Sequence, residues 1–359
     1  MASTGVDEAD LSNDSPFVVT GASGYAASWI VNELLRRGAT VRATVRDPSN
    51  QEKCRHLVVM GNEHPGTLEL AKADLLDPGA FDRVIDGARV VIHTASPFIV
   101  GKVTDPQAQL VEPALSGTKN VLQSVDRATS VEKVVVTSSV AAIYGDAIEA
   151  SHVPGGRFTE EHWNTSSSPE HQPYSYSKTV AERSAWEMCN AQGRWKLATI
   201  NPGFVLGPSK TPRADSESIK FMRDLIRGRY KFGAPPLSFG IVDVRDVAAA
   251  HVEAAIRPFE GRAILVAGSR TILDMGLALR ARLGGTLPFP TRPVPTPLLY
   301  LFGPPQGFSW KFLRDNAGHP VDFDTTRSTD QLGIGYRPID DTLADHAEQL
   351  IEAHAASRA

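Results

Sequence analysis

Several features that mark particular classes of protein are scarce in this sequence of 359 residues. It has only two cysteines, Cys54 and Cys189, too few for a disulfide framework or a cysteine-based metal site. It has no unbroken apolar run long enough to span a bilayer. Its net charge of −4 creates no field that would attract nucleic acid. We therefore expect no metal, no nucleic-acid partner and no membrane partner.

The amino-terminal segment also lacks the features of a targeting signal. Residues 1–15 are polar and acidic, with neither a basic start nor an apolar stretch. We expect a flexible tail there, and a cytoplasmic protein that is a monomer or a homodimer. The composition of the whole chain, with 42% hydrophobic and 22% charged residues, is ordinary for a globular protein with a substantial core.

A glycine-rich turn organises the first part of the chain. A β-branched pattern over 17–20 runs directly into Gly21, and a helical pattern follows and ends at Gly38. Gly21 permits a tight turn, and Gly24 has no side chain to block a pyrophosphate. The positive end of the following helix favours a phosphate, and a small residue, Ala27, takes the third position of the pattern. We expect a dinucleotide on this turn, held by Gly21, Ala22, Ser23, Gly24, Tyr25 and Ala26.

The end of the second predicted strand, residues 40–45, selects the dinucleotide. NAD-binding sites usually place an acidic residue there to bind the ribose hydroxyls. This sequence has Val45 followed by Arg46, and Lys53 lies a short distance further on. A carboxylate would repel the 2′-phosphate of NADP, whereas a guanidinium can bind it with paired hydrogen bonds. The pattern predicts NADPH, bound by Arg46 and Lys53, and Asp47 leaves NAD open as an alternative.

Two further strands end at residues suited to the cofactor. A strand over 68–73 ends at Asp74 and Leu75, beside the expected position of the adenine. His93, within a strand over 90–93, is predicted to be a packed core histidine and not a catalyst. That strand ends in small residues that leave room for the sugar and phosphates, namely Thr94, Ala95 and Ser96.

The alternation of strands and helices over residues 16–205 predicts an α/β fold, a Rossmann-type doubly wound parallel sheet that binds NADP. The alternation becomes irregular beyond it, so residues 206–359 are predicted to form a smaller, mixed substrate-binding lobe. Within that lobe, residues 237–266 are expected to return to the large sheet. The expected strands of the sheet lie at residues 17–20, 40–45, 68–73, 90–93, 134–137 and 196–200.

Tyr174 and Lys178 are four residues apart at the start of a predicted helix, so they share one of its faces. A lysine ammonium stabilises a neighbouring phenolate, which makes the tyrosine a usable proton donor. Lys178 can also hydrogen-bond the nicotinamide ribose, so Tyr174 and Lys178 are expected to contact the cofactor as well. Ser139, after the fifth strand, can hydrogen-bond a substrate carbonyl, and Ser138 is the alternative for that role. Tyr176 points elsewhere on the helix. The order of these patterns predicts reduction of a carbonyl group, in which a nicotinamide supplies the hydride and Tyr174 the proton.

The sequence resembles the extended short-chain dehydrogenase/reductases. The resemblance is carried by TGASGYAAS at the glycine-rich turn, HTASPF at 93–98, YSYSK at 174–178 and NPGFVLGP at 201–208. Within that superfamily, the chain is similar to the group of dihydroflavonol reductases, cinnamoyl-CoA reductases and fungal aldehyde (methylglyoxal) reductases. The similarity extends over nearly the whole chain, from about residue 16 to the motif GIGYRPIDDTL at 333–343.

This resemblance implies an NADP-dependent oxidoreductase, with Ser139, Tyr174 and Lys178 as its catalytic residues and Pro202 beside the nicotinamide. One departure concerns the substrate. The cinnamoyl-CoA reductase signature NWYCYGK is replaced here by QPYSYSK, which argues against a CoA thioester. The loops before Tyr174 and after residue 208 also differ from those of the flavonoid enzymes, which argues against a flavonoid.

We therefore expect an NADPH-dependent carbonyl reductase that converts an aldehyde or ketone into an alcohol. An NADP-dependent hydroxysteroid or dihydroflavonol-type enzyme is the alternative within the same chemistry. A sugar epimerase or dehydratase shares the fold, but those enzymes usually hold NAD, which Arg46 opposes. A regulatory protein that binds NADPH without turnover is an alternative of a different class. The expected pocket walls are the apolar residues Phe98, Phe204 and Met222.

Overall fold

The computed structural model describes residues 11–12, 15–96, 103–211 and 216–356. Within them the strands, numbered in chain order, are β1 (Phe17–Thr20), β2 (Thr40–Val45), β3 (Thr67–Lys72), β4 (Val90–His93), β5 (Lys133–Thr137), β6 (Arg157–Phe158), β7 (Lys196–Pro202), β8 (Phe204–Leu206), β9 (Ser238–Asp243), β10 (Gly261–Leu265), β11 (Gly268–Thr271) and β12 (Asp322–Phe323). The helices are α1 (Tyr25–Arg36), α2 (Gln51–Glu63), α3 (Asp82–Ile85), α4 (Glu112–Arg127), α5 (Pro173–Asn190), α6 (Glu217–Ile226), α7 (Val244–Ile256), α8 (Ile272–Leu283), α9 (Thr296–Phe302), α10 (Trp310–Asn316), α11 (Thr326–Asp330) and α12 (Ile339–Ala356).

The large sheet has seven parallel strands in the order β10-β7-β5-β4-β1-β2-β3. Strands β1 and β4 are buried at every position, because helices cover both faces of the sheet. Helices α1 and α7 pack together on one face, and α4 and α5 pack together on the other. The strand order reverses between β1 and β4, and such a reversal opens a crevice at the carboxyl ends of the strands. These features confirm the predicted Rossmann-type doubly wound sheet.

A smaller lobe is built on a second sheet with the order β11-β9-β8. Strands β8 and β9 are parallel, and β9 and β11 are antiparallel, so this sheet is mixed. Helices α6, α8 and α12 pack on it around an apolar core. Of residues 237–266, α7 and β10 belong to the large sheet and its helical layer, whereas β9 belongs to the small sheet. The predicted boundary at residue 205 falls inside β8, and the division into domains stays a prediction.

Two segments differ from the sequence-based expectations for local reasons. Strand β7 continues to Pro202, beyond the predicted end at residue 200, because its last residues pair with Ile264 and Leu265 of β10. In the expected flexible tail, Leu11 is buried and its N–H donates to the carbonyl oxygen of Arg37 at 2.8 Å. Residues 1–10 and 13–14 of that tail lie outside the described residues.

In the part of the chain that the structure describes, no helix is both long enough and apolar enough to cross a membrane.

Candidate active site

The glycine-rich turn between β1 and α1 packs closely against the end of β4. Gly21 has a φ of +65°, and a Cβ atom at this position would lie 3.0 Å from the Cα of Ala95. The N–H groups of Gly21 and Ala22 donate to Oγ1 and to the carbonyl oxygen of Thr44, at 3.1 and 3.0 Å. A Cβ at Gly24 would lie 3.1 Å from the carbonyl oxygen of Gly21. The two glycines therefore allow backbone segments to approach that larger residues would hold apart.

The amino terminus of α1 fits an anionic ligand. Its N-cap is Gly24, and no side chain among the described residues caps the helix. The N–H groups of Tyr25 and Ala26 therefore remain at the positive end of the helix dipole without a capping acceptor. Ser23 completes the turn, and its carbonyl oxygen accepts from Oγ1 of Thr211 at 3.2 Å. This arrangement of backbone donors suits a pyrophosphate.

The side chain of Tyr25 points away from the anion site, towards the smaller lobe. Its hydroxyl donates to the carbonyl oxygen of Gly207 at 2.5 Å, and its ring stacks on that of His346, with the centroids 6.2 Å apart. Burial raises the pKa of Tyr25 well above its ordinary value. Tyr25 therefore joins the dinucleotide turn to α12, a contact that sequence patterns did not indicate.

The hydroxyl of Thr20 organises the end of β4. Its Oγ1 accepts from the N–H groups of Thr94 and Ala95, at 3.1 and 3.0 Å, and lies 2.8 Å from Nδ1 of His93. Because both lone pairs are used, the hydroxyl donates to His93, whose own proton is then on Nε2. Burial, together with the charge of Lys178, lowers the pKa of His93 to about 3. His93 is therefore a neutral, buried core residue, as predicted.

A small cavity of about 20 Å³ lies between the end of β4 and helix α5. Ala95, Ser96, Ser138 and Lys178 are among the residues that line it. Its volume is enough for about one water molecule. Two residues predicted to contact the cofactor thus border the same space as the predicted catalytic lysine.

The residues predicted to select NADP lie on the surface after β2. The side chains of Arg46 and Lys53 are exposed, and neither forms an ion pair with another described residue. One oxygen of the Asp47 carboxylate, Oδ1, accepts from the backbone N–H and the hydroxyl of Ser49, at 3.0 and 2.6 Å. Two exposed cations, one directly after β2 and one at the start of α2, fit a 2′-phosphate better than a ribose hydroxyl.

Asp74 and Leu75 follow β3, at the carboxyl edge of the large sheet. Asp74 is exposed, and its Oδ1 accepts from the N–H of Leu76 at 3.0 Å. Leu75 packs so closely on α4 that a Cβ atom at Gly117 would lie 2.6 Å from its Cγ. The expected contact of both residues with the adenine stays a prediction.

Ser139 begins the short 3-10 turn that follows β5. Its Oγ accepts from the N–H of Ala141 at 3.1 Å and lies 3.5 Å from the carbonyl oxygen of Pro202. The residue is partly exposed, so its hydroxyl can reach a substrate oxygen. The hydroxyl of Ser138 instead donates to the buried carboxylate of Glu182. This geometry favours Ser139 over Ser138 as the substrate contact.

Helix α5 presents Tyr174 and Lys178 on one face. Nζ of Lys178 lies 5.9 Å from the centroid of the Tyr174 ring, and 53% of Tyr174 is exposed. Tyr176 lies on another face and is partly buried. The helix packs on the turn after β5, where Oγ1 of Thr179 lies 3.5 Å from the carbonyl oxygen of Ala141. The structure therefore brings the tyrosine–lysine pair beside the turn that carries the serine.

The residue directly before helix α5 has an unusual conformation, which sequence patterns did not indicate. Gln172, two residues before Tyr174, has a φ of +55°, in the left-handed region. Its Nε2 donates to the carbonyl oxygen of Gly145 and to Oδ1 of Asp146, both at 2.6 Å. These hydrogen bonds hold the start of the helix in place.

Asp146 connects this helix start to α10. Its side chain is 4% exposed and accepts from Nδ2 of Asn316 and Nε2 of His171, both at 2.7 Å. Nζ of Lys311 lies 3.3 Å from the same carboxylate. Burial would raise the pKa of Asp146, but the hydrogen bonds from His171 and Asn316 hold it below its ordinary value. Asp146 is therefore ionised and anchors the loop that precedes Tyr174.

The expected pocket walls have three different outcomes. Phe204 is partly exposed and packs against Phe221 and Phe239, with centroid distances of 5.1 and 5.8 Å. Met222 is fully buried in the core of the smaller lobe, because it lies on the apolar face of α6, and its contact with a substrate stays a prediction. Phe98 lies outside the described residues. The partly exposed aromatic cluster therefore supplies the apolar surface beyond the end of β7.

The sequence places this site in a known family. Residues 17–268, more than half of the chain, match the NAD dependent epimerase/dehydratase family. The chain belongs to this family. The matched region includes the dinucleotide turn, the serine after β5 and the tyrosine–lysine pair of α5. Membership of the extended short-chain dehydrogenase/reductases, predicted from the sequence motifs, is confirmed.

Within this family the chain is similar to reductases. It is 44% identical to cinnamoyl-CoA reductase CAD2 of Medicago truncatula over 238 residues, 65% of this chain and 70% of that protein. It is 38% identical to cinnamoyl-CoA reductase 1 of Arabidopsis thaliana over 336 residues, 93% of this chain and 88% of that protein. The crystal structure of yeast methylglyoxal/isovaleraldehyde reductase Gre2 complexed with NADPH superimposes with a TM-score of 0.75 at 28% identity, covering 95% of this chain and 99% of that one. Together with the family, these similarities confirm the predicted oxidoreductase class.

Proposed function

We propose that the protein is an NADPH-dependent carbonyl reductase that converts an aldehyde or ketone into an alcohol. The observation that carries the proposal is the placement of Tyr174 and Lys178 on α5, beside the turn that begins at Ser139. This group lies at the carboxyl edge of the large sheet, where the uncapped amino terminus of α1 provides donors for a dinucleotide. The similarity to known reductases of the same family supports the same reaction class.

The three side chains divide the chemistry between them. NADPH supplies the hydride when it is bound. The Ser139 hydroxyl donates a hydrogen bond to the substrate carbonyl oxygen and holds it in place. Tyr174 is more than half exposed and donates its phenolic proton to the same oxygen. The ammonium group of Lys178 stabilises the phenolate that remains.

The choice of NADPH over NADH follows from the surface after β2. Arg46 and Lys53 bind the 2′-phosphate, and the N–H groups of Tyr25 and Ala26 bind the pyrophosphate. The carboxylate considered for NAD, that of Asp47, has its Oδ1 bound by Ser49. The NADPH complex of the yeast reductase supports this choice.

The substrate carries an apolar group next to its carbonyl. The partly exposed rings of Phe204, Phe221 and Phe239 form an apolar surface just beyond Pro202, whose carbonyl oxygen faces Ser139. The similarity to cinnamoyl-CoA reductases makes a CoA thioester a second candidate substrate. The absence of their NWYCYGK signature favours a free aldehyde or ketone.

A panel of carbonyl compounds tests the proposal. The loss of NADPH absorbance is followed with methylglyoxal, isovaleraldehyde, an aromatic aldehyde, a steroid ketone and cinnamoyl-CoA, and NADH is run in parallel. We expect turnover with NADPH on an aldehyde that has an apolar group, and much slower turnover with NADH. Tight binding of NADPH without turnover on any compound would contradict the proposal and favour a regulatory NADPH-binding protein.

A further inference from the structure

A buried carboxylate lies directly behind the proposed catalytic residues. Glu182 follows Lys178 by four residues on α5, as Lys178 follows Tyr174, so all three lie along one face of the helix. Glu182 is 1% exposed and lines the same small cavity as Lys178. A charge buried to this extent is costly unless it is paired and hydrogen-bonded.

Side chains from three neighbouring strands, or directly after them, satisfy this carboxylate. Oε1 of Glu182 accepts from Nε of Arg262 at 2.7 Å and from Oγ1 of Thr199 at 3.1 Å. Oε2 accepts from Nδ2 of Asn201 at 2.8 Å and from the hydroxyl of Ser138. Arg262 lies on β10, Thr199 and Asn201 lie on β7, and Ser138 follows β5. Glu182 therefore ties the catalytic helix to three adjacent strands of the large sheet.

The same contacts fix the backbone of Ser139. Its neighbour Ser138 is bound to Glu182 through the hydroxyl and donates its N–H to the carbonyl oxygen of Ile200 at 2.8 Å. Asn201, which donates to Glu182, also donates from Nδ2 to the carbonyl oxygen of Ser139 at 3.1 Å. The position of Ser139 relative to α5 thus depends on the carboxylate that joins them.

Arg262 extends the network to the turn after β5. Its Nη1 donates to the carbonyl oxygens of Glu160 and His162, at 2.7 and 2.5 Å, and its Nη2 donates to that of Ala142 at 3.3 Å. Its guanidinium carbon lies 3.9 Å from the centroid of the Trp163 ring. The ion pair with Glu182 is therefore hydrogen-bonded on both sides and packed against an aromatic face.

We propose that Glu182 is a positioning residue for the reductase reaction. It holds the Ser139 hydroxyl at a fixed place relative to Tyr174 and Lys178. A buried ion pair gives little net stability compared with well-packed apolar residues of the same volume, so stability alone does not account for this network. The inference rests on the proposed function, because it concerns the geometry of that same site.

The first test replaces Glu182 with glutamine. E182Q keeps the volume of the side chain, but the NH2 group of glutamine cannot accept hydrogen bonds. It would face groups that donate to Glu182, so the contacts to β7 and β10 weaken. We expect kcat to fall by roughly 10- to 100-fold, because a small misplacement of a catalytic group has effects of this size. The Kd of NADPH should stay unchanged. Glu187→Gln, at an exposed site on the same helix, is the matched control and should keep the full kcat.

The deciding measurement combines E182Q with Ser139→Ala. A residue that acts by positioning the Ser139 hydroxyl has little left to affect once that hydroxyl is gone, so E182Q should barely lower the residual kcat of S139A. A role in overall structure alone would lower kcat by the same factor in both backgrounds and would overturn the inference. A kcat of E182Q equal to that of the unaltered protein would also overturn it.

Two more variants keep the result interpretable. Glu182→Asp retains the charge and shortens the side chain, and it takes the place of E182Q in the same comparison if the glutamine variant does not fold. Tyr174→Phe separates this inference from the proposed function. Retained turnover in Y174F would contradict the proposed function itself. Lost turnover in Y174F with full turnover in E182Q would contradict only the role of Glu182.

Discussion

Ser138 and Ser139 are neighbours in the chain, yet their hydroxyls have different surroundings. Ser138 is buried and bound to a carboxylate, whereas Ser139 is partly exposed at the start of a turn. Successive side chains of an extended segment point to opposite sides, so the side chain of Ser138 faces the core and that of Ser139 faces the crevice. Of the two hydroxyls, that of Ser139 is therefore our proposed substrate contact.

Tyr174→Phe removes the phenolic hydroxyl and leaves the ring. We expect kcat to fall by roughly 100- to 10,000-fold, the usual contribution of a general acid. The Kd of NADPH should not change, because the dinucleotide turn is untouched. Steady-state kinetics on an aldehyde from the panel, with a fluorescence titration of NADPH, check both expectations. Tyr176→Phe is the control on the same helix and should be fully active. Turnover of Y174F close to that of the unaltered enzyme would rule out Tyr174 as the proton donor.

Arg46→Ala removes an exposed guanidinium that has no ion pair within the described residues, so the free energy of unfolding should not change. We expect the Kd of NADPH to rise about 10- to 100-fold, since hydrogen bonds to a charged group contribute about 1.5–3 kcal/mol. The Kd of NADH should stay the same. Calorimetric titration of both cofactors measures the difference, and Arg55→Ala, exposed on α2, is the control. Equal losses for the two cofactors would argue against the 2′-phosphate contact.

At the scale of elements, α5 is the part of the fold on which the site depends. It carries Tyr174 and Lys178, and it is held at its start by Gln172 and along its buried face by Glu182. The first attachment reaches α10 through Asp146, and the second reaches β10 through an ion pair. Helix α10 and strand β10, which come much later in the chain, therefore fix the position of α5 on the large sheet.

Asp146→Asn tests the attachment at the start of α5. An amide cannot accept from Gln172, Asn316 and His171 as the carboxylate does, so buried donors lose their partner. We expect the free energy of unfolding to fall by about 1–3 kcal/mol and kcat to fall more than KM rises. Urea unfolding and steady-state kinetics measure the two effects. Asp77→Asn, at an exposed site, should change neither. An unaltered kcat in D146N would show that the helix start does not need this anchor.

The same elements show which parts of the structure were predictable. Strands such as β1 and β4 are continuous apolar runs because they are buried on both faces, and short motifs at strand and helix ends marked Ser139, Tyr174 and Lys178. Asp146 accepts hydrogen bonds from Gln172 and from Asn316, which lies far away along the chain. No local sequence pattern indicates a contact between residues so widely separated in the sequence. The sequence did not indicate that Met222 is buried in the core of the smaller lobe, because an apolar residue has the same pattern whether it faces a core or a crevice.

At the scale of the whole molecule, three histidines are buried in separate layers. His93 lies on β4, His251 on α7 and His346 on α12. Burial lowers the pKa of His93 to about 3 and the pKa values of His251 and His346 to about 4 each. All three are therefore neutral in the folded protein at neutral pH, and their rings pack as core residues.

These histidines make the stability depend on pH. In the unfolded chain a histidine has a pKa of about 6.5, so the unfolded state binds more protons below that pH. The free energy of unfolding should be highest above about pH 6.5 and should fall towards pH 4, by up to about 1.4 kcal/mol per pH unit for each histidine. The lowered pKa of Asp146 has no effect in this window, because its contribution is lost only below the ordinary pKa of a carboxyl group, about 3.9.

Urea unfolding at pH values of about 7.5 and 5 measures this dependence. His251→Gln should reduce the number of protons taken up on unfolding by up to one, and so make the free energy of unfolding less dependent on pH. His152→Gln, at an exposed site, should leave this dependence unchanged. An equal pH dependence in H251Q and in the unaltered protein would contradict the burial of a neutral His251.

Strand β10 lies at the edge of the large sheet, next to β7, but it follows β8 and β9 of the small sheet in the chain. During synthesis from the amino terminus, the free edge of β7 stays unpaired until β10 has left the ribosome. Arg262 arrives with the same strand, so until then Glu182 lacks its cation. The proposed active site is therefore completed late. A nascent chain that stops short of β10 exposes an open strand edge, which favours aggregation, and leaves the carboxylate of Glu182 unpaired on the helix that carries Tyr174 and Lys178.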